Sequence, residues 1–258
     1  MTGIISTGIL RVCKIFAVEE LVMNRSFFFL ATFLSLANLS LAQQPAAAPA
    51  HHHARTAAKP SADRLWDDLL AGNERFISGQ THAYDVVALR RELATGQQPN
   101  VIVLSCSDSR VAPELVFDHS LGDLFVVRTA GNVADPVGLG SIEYAVDHMH
   151  PPLLVVLGHQ KCGAVTAACS GEKMPSRNLE AIVDKIDPAV AQAKTYAKSG
   201  NLIESAIKEN VDQSAKDLLA NSDIIRAAVT SGKLKVIEAE YELDSGKVVR
   251  LSPSGGQN

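Results

Sequence analysis

Hydrophobic and polar positions alternate along this chain in blocks that change period. Residues 101–104, 124–128 and 153–157 are short, nearly continuous apolar runs bounded by turn residues. Runs of that length and composition predict buried parallel strands. Helical spacing takes over between and around them. Ser61-Ala62-Asp63 opens a helix over residues 64–78, with Leu65, Leu69, Phe76 and Ile77 near one face. A helix preceded by a free linker at the edge of a domain is expected to pack as an arm on a partner subunit. A second helix is expected over 86–94, ending at Gly96, and a short one over 113–117. Pro136 starts a helix through Ile142, Ala145, Val146 and Met149, which Pro151-Pro152 ends. Another covers 164–168. Residues 178–232 read as helical, with breaks near Asp187-Pro188 and at Gly200. Residues 234–243 and 248–251 flank Asp244-Ser245-Gly246, a hairpin turn signal. Strands alternating with helices predict an α/β fold, with a mostly parallel central sheet flanked by helices and an N-terminal helical arm.

The first sixty residues follow neither period. Met23-Asn24-Arg25 is a short basic start, 27–41 is apolar, and Ser40-Leu41-Ala42 places small residues where a signal peptidase reads. This predicts a secretory signal over 23–42, too short in its apolar core for a membrane span. Residues 1–22 read as an upstream extension, and 43–60, rich in Ala, Pro and three consecutive histidines, as a linker. One folded domain, 61–252, and a short tail, 253–258, complete the chain. Export, most simply to a periplasm, is the expected location, with no membrane contact beyond the cleaved signal. Lys and Arg number 24 against 28 Asp and Glu, and no basic stripe emerges, which argues against nucleic acid as a partner. Cys13 is lost with the leader, leaving Cys106, Cys162 and Cys169. That odd count is no disulfide framework even in an exported protein, and Cys169 reads as a buried helix residue.

Two stretches carry chemistry. Cys106-Ser107-Asp108-Ser109-Arg110 follows the first apolar run, and His159-Gln160-Lys161-Cys162-Gly163 follows the third. Neighbouring parallel strands bring their carboxyl ends to one crevice. Two cysteines and a histidine are a good zinc set, and three protein ligands leave a fourth position open. Cys162, at the start of a helix, is biased toward thiolate by unpaired backbone N–H groups. A water or the carboxylate of Asp108 completes the shell. Asp108 either orients the nucleophile or closes the metal to water, and Arg110 grips it through a bidentate pair. Two thiolates cancel the charge of zinc, so activity is expected to rise with pH through about 7 to 8.

These stretches, together with Arg128, Ala130-Gly131-Asn132 and Ile142-Glu143-Tyr144, closely resemble the β-class carbonic anhydrases, in the right order over about residues 63–243. The resemblance implies zinc-dependent, reversible hydration of carbon dioxide to bicarbonate and a proton by zinc-bound hydroxide, with one Zn2+ per subunit. It also implies self-association as a dimer or tetramer, with zinc sites close to the subunit interface. Residue by residue it makes Cys106, His159 and Cys162 the zinc ligands, Asp108 and Arg110 the catalytic dyad, and Asp108 a conditional fourth ligand. It places Gln97, Phe125, Tyr144 and Gly163 in the substrate pocket. By their own local pattern Gln97 faces solvent in a turn, and Phe125 and Tyr144 belong to the core. Where the bicarbonate-inhibited branch has a Trp, three residues before the first ligand, this chain has Val103, which favours the plant-like branch. His82, His119, His148 and His150 are candidates for proton relay. A hydrolase of CS2 or COS on the same site, and a zinc module without catalysis, are the competing readings.

Overall fold

The computed structural model describes residues 59–198 and 200–252. The extension, the signal, all but the last two residues of the linker, and the tail lie outside them. Among the described residues no helix is long and apolar enough to cross a membrane.

Among the described residues, five strands form one sheet in the order β2-β1-β3-β4-β5. Strands β1 (Val101–Cys106), β2 (Leu124–Thr129), β3 (Leu153–His159) and β4 (Lys235–Tyr241) run parallel, and β5 (Val248–Arg250) returns antiparallel from the Gly246 turn. β1 and β3 are buried at every position, as their unbroken apolar runs require of central strands covered on both faces. β2 corrects the sequence reading. It is an edge strand in which only Val127 is buried, because β1 pairs along one side and, among the described residues, no strand covers the other.

Helix α1 (Ala62–Ser78) begins at Ser61, whose hydroxyl accepts the Arg64 N–H, and ends at Gly79 in the left-handed region at φ 70°. Its Leu65, Trp66 and Leu69 pack with Val101, Val103, Val155, Leu157 and Ile237 on one face of the chain's own sheet. The expected arm therefore buries its apolar stripe within its own domain. Full burial of such a side chain stabilises by about 1.5–3 kcal/mol, which a helix this amphipathic collects at home before meeting any partner. Helix α2 (Val86–Glu92) carries no buried residue, and a 3-10 turn over Leu93–Thr95 leads from it to Gly96. Short α3 (Pro113–Val116) follows β1.

The opposite face of the sheet is covered by α4 (Pro136–Met149), α7 (Leu202–Asn221) and α8 (Asp223–Thr230), with Ile142, Val146, Val211, Leu218 and Ile225 packed on Ile102, Leu104, Leu154 and Val156. Helix α6 (Arg177–Lys194) runs unbroken through Pro188, against the expected interruption. Pro188 and Asp184 are both exposed, so the carbonyl that the missing N–H leaves open lies on a solvent-facing turn of the helix. The break instead falls at Ser222, which caps α8 by accepting the Ile225 N–H and donates its hydroxyl to Glu143 Oε1 at 2.6 Å. Helix α5 (Gly163–Ser170), α6 and the first turns of α7 enclose a third cluster, containing Cys106, Cys162, Val165, Ile186, Val190 and Ile207, at the carboxyl end of the sheet.

Candidate metal centre

Parallel register sets Ser105 opposite Leu157, so β1 and β3 end side by side. Cys106 is the last residue of β1 and His159 the last of β3. The chain then turns back through Lys161, which holds φ 55° in the left-handed region and pairs with Asp244 at 2.7 Å. That reversal delivers Cys162 to the N-cap of α5. The ligating atoms of Cys106, His159 and Cys162 all lie within 4.8 Å of one another, and all three residues are buried. Sequence reasoning placed these three together, and the fold does so.

Their surroundings suit a metal. The His159 ring nitrogen Nδ1 lies 2.8 Å from the Gln160 carbonyl, which assigns it the proton and leaves Nε2 with a lone pair. Nε2 is buried and has no hydrogen-bond partner among the described residues. A buried polar atom without a partner is costly, and a cation among two sulfurs and a nitrogen removes that cost. Soft thiolates with one imidazole select zinc over hard cations. The thiols are already polarised. The neighbouring Cys162 thiol pushes the Cys106 thiol down, helped by His159 and by the backbone N–H groups of Asp108 and Gly131. Cys162 is pushed up as the donor to that thiolate. Burial opposes a charge on His159, but the Cys106 thiolate outweighs it and raises the imidazole pKa.

Asp108 stands beside this group without joining it, its Oδ2 4.0 Å from His159 Nε2. Arg110 grips it as expected, Nε donating to Oδ1 at 2.9 Å and Nη2 to Oδ2 at 2.7 Å. Those bonds hold the carboxyl well below the usual carboxylate range. Arg128 does more than its place in a motif revealed. Its guanidinium donates to the carbonyls of Cys106, at 2.9 Å, and Asp108, at 2.6 Å, pinning the segment between ligand and dyad. An arginine closing an apolar strand was the available signal.

The pocket candidates divide. Gly163 adjoins Cys162 at the start of α5, and a Cβ there would meet nothing within 4 Å. Phe125 pairs with Ile102, four positions before Thr129 opposite Cys106, about 13 Å back along the strands. Tyr144 is 50% exposed, against its core reading, and its ring lies 6.5 Å from Phe125 and 4.5 Å from His148. Gln97 is exposed before β1, at the opposite end from Cys106. One chain therefore does not gather Gln97, Phe125 and Tyr144 at the metal centre. The relay histidines are engaged elsewhere: His82 against Tyr84, His119 at the Phe117 carbonyl, His148 on Tyr144 and His150 at the Val146 carbonyl. Two surface hollows of about 440 and 300 Å³ lie between α6 and α7 and are lined by none of the predicted site residues.

The carbonic anhydrase family model matches residues 101–248. A carbonic anhydrase 2 of Mycobacterium tuberculosis is 40% identical over 188 residues, 71% of this chain and 90% of the relative. A carbonic anhydrase of Mycolicibacterium smegmatis is 38% identical over 74% of this chain and 93% of its own. Among solved structures, the Coccomyxa β-carbonic anhydrase in complex with acetazolamide superimposes with a TM-score of 0.58 at 26% identity, over 74% of this chain and 83% of that one.

Proposed function

The chain belongs to the β-carbonic anhydrases, zinc enzymes that reversibly hydrate carbon dioxide to bicarbonate and a proton, and from that premise we propose how its own residues divide the work. Cys106, His159 and Cys162 hold the metal. The observation that carries this is the meeting of their three donor atoms within 4.8 Å around a buried imidazole nitrogen that has no hydrogen-bond partner among the described residues. When bound, zinc supplies the Lewis acidity that makes water nucleophilic near neutral pH.

Asp108 accepts a hydrogen bond from the attacking water and turns its lone pair toward the carbon of the substrate. An acceptor held ionised by Arg110 keeps this role across the working pH range. The same grip restrains Asp108 from acting as a fourth ligand, since swinging an oxygen onto the metal would loosen the paired bonds to the guanidinium. This, with Val103 buried at the position where the inhibited branch has Trp, supports the plant-like, open arrangement. A crystal grown near pH 7 with Asp108 on the metal would contradict it. Gly163 leaves room for substrate, and the N–H groups opening α5 favour the anionic product there.

Gln97, Phe125 and Tyr144 serve the pocket of a second subunit. What supports this is their distance from their own metal centre, the open edge of β2 and the exposure of Tyr144. An unpaired edge flanked by aromatic side chains is a surface that a second copy covers well. We place the enzyme outside the cytoplasm on the basic-then-apolar leader from Met23. Stopped-flow CO2 hydration by the chain from Gln43, with its metal content measured, tests the proposal. Activity proportional to bound zinc is expected, and a folded, zinc-loaded protein without activity would overturn it.

A further inference from the structure

We propose that Asn210, on α7, is a positioning residue for the metal centre, holding the loop whose Gly131 N–H is aimed at the Cys106 sulfur. The proposal rests on Cys106 being a zinc ligand. Asn210 is buried, and its Nδ2 donates to the Gly131 carbonyl at 2.7 Å. The N–H of the same glycine donates to Cys106 Sγ at 3.3 Å. One peptide segment thus links a side chain of a remote helix to a ligand sulfur through two hydrogen bonds.

The loop needs such a hold. Gly131 and Asn132 are consecutive left-handed residues, at φ 70° and 48°. Such backbone persists only where its surroundings over-determine it. A Cβ on Gly131 would fall 2.8 Å from Ile186 Cδ1, so packing closes one side of the loop. α7 closes the other, with Asn210 at the Gly131 carbonyl and Ser214, one turn on, receiving Asn132 Nδ2 at 3.4 Å. The helix is itself seated against the second ligand strand. Gly158, just before His159, lets Val211 approach so closely that a Cβ there would lie 2.4 Å from its Cγ2. An N–H donated to a thiolate offsets part of its charge and fixes the direction of its lone pairs. α7 therefore sets the aim of Cys106 although it supplies no ligand.

The test uses the zinc-loaded full chain, with zinc affinity read by chelator competition, the thiolate-to-metal charge-transfer band read after cobalt substitution, and thermal unfolding followed alongside. Asn210→Ala removes the donor. Asn210→Leu removes it while keeping the branched side-chain shape without lowering helix propensity, and carries the test if the alanine variant does not fold. Both are expected to bind zinc about 10- to 100-fold more weakly, with a shifted charge-transfer band. Leu218→Ala, a cavity in the same helix away from the loop, should lower the unfolding temperature yet keep zinc affinity within about threefold. Asn210 variants that hold zinc no worse than Leu218→Ala, in a protein whose zinc is lost in Cys106→Ser, would overturn the positioning role alone. Zinc retained in Cys106→Ser would overturn the metal-centre reading beneath it.

Discussion

The carboxyl ends of β1 and β3 and the outer edge of the sheet at β2 and α4 are written in the same sequence language, an apolar strand followed by a short polar turn. They are finished differently. At the first, Cys106, His159 and Cys162 are buried, and the loops that hold them are tied down by Arg128, Gly131 and Asn210 of the same chain. At the second, Phe125, Tyr144 and His148 form an aromatic group lying partly in solvent, with Val137 more exposed still. One region completes itself and the other is left to be covered. Metal affinity should then belong to the single chain, while substrate handling depends on assembly.

The largest effect tests the self-contained half. Removing a residue that only supports a ligand costs about 10- to 100-fold in metal affinity, so removing a ligand costs more. Cys106→Ser and His159→Ala are each expected to purify without stoichiometric zinc and to hydrate CO2 no faster than buffer. Metal analysis beside stopped-flow rates checks this, and a normal zinc content in either would break the comparison at its stronger end.

Asp108→Asn comes next. It should keep zinc and fold but lose about 10²- to 10⁴-fold in kcat, the range for a lost proton acceptor. The pH behaviour has a definite sign. A carboxyl held below its usual range contributes stability above its unfolded value near 4, which disappears only as pH falls through the lower folded value. Asp108 is thus ionised across the working range, and the expected rise of activity through neutral pH is not its titration. Arg110→Ala lets the carboxyl return toward 4, still below the working range, so kcat should fall as the carboxylate loses its hold while the rise through neutral pH stays in place.

The covered half is tested by Tyr144→Ala and Phe125→Ala. Each should leave zinc content unchanged, raise KM and weaken self-association, by about tenfold apiece, as truncating an anchor at an interface does. Sedimentation at several concentrations, with kinetics at each, separates the two losses. A rise in KM with no change in assembly would move these side chains back into the pocket of their own subunit.

How much of this the sequence disclosed follows the same division. Ligands at strand ends are fixed by local pattern, because a parallel strand has one carboxyl end and the turn after it is short. Cys106, His159, Cys162 and the Asp108–Arg110 pair were legible for that reason. The edge position of β2 was not, since an apolar run reads alike whether one neighbour pairs with it or two. Nor was the helical course through Pro188, which depends on that turn of α6 facing water. Asn210 was hidden more deeply. A polar residue midway along a helix is ordinarily solvated, and only the path of the loop carrying Gly131 shows what its amide meets.

The smallest effect lies under α7, where Glu238 on β4 meets Asp212, Lys216 and Glu209. Burial, reinforced by Asp212, pushes the Glu238 carboxyl up to about 7, with Lys216 opposing and Glu209 assisting. A raised carboxyl is neutral in the fold at low pH. Its stabilising share is complete below the unfolded value near 4.5 and is lost as pH climbs through 7. Glu238→Gln, neutral at every pH, should match the parent near pH 4 and melt about 2–4 °C higher at pH 8, the shift a contribution of about 1 kcal/mol makes after solvent screening at a partly buried site. Activity is expected to rise over the same range in which this layer weakens, so the two pH dependences have opposite sign and separate cleanly. Asp212 lies two residues from Asn210 along α7. If Glu238→Gln also tightens zinc at pH 8, the metal centre reports on the layer beneath the helix. If only the melting temperature moves, the centre is as self-contained as its buried ligands suggest.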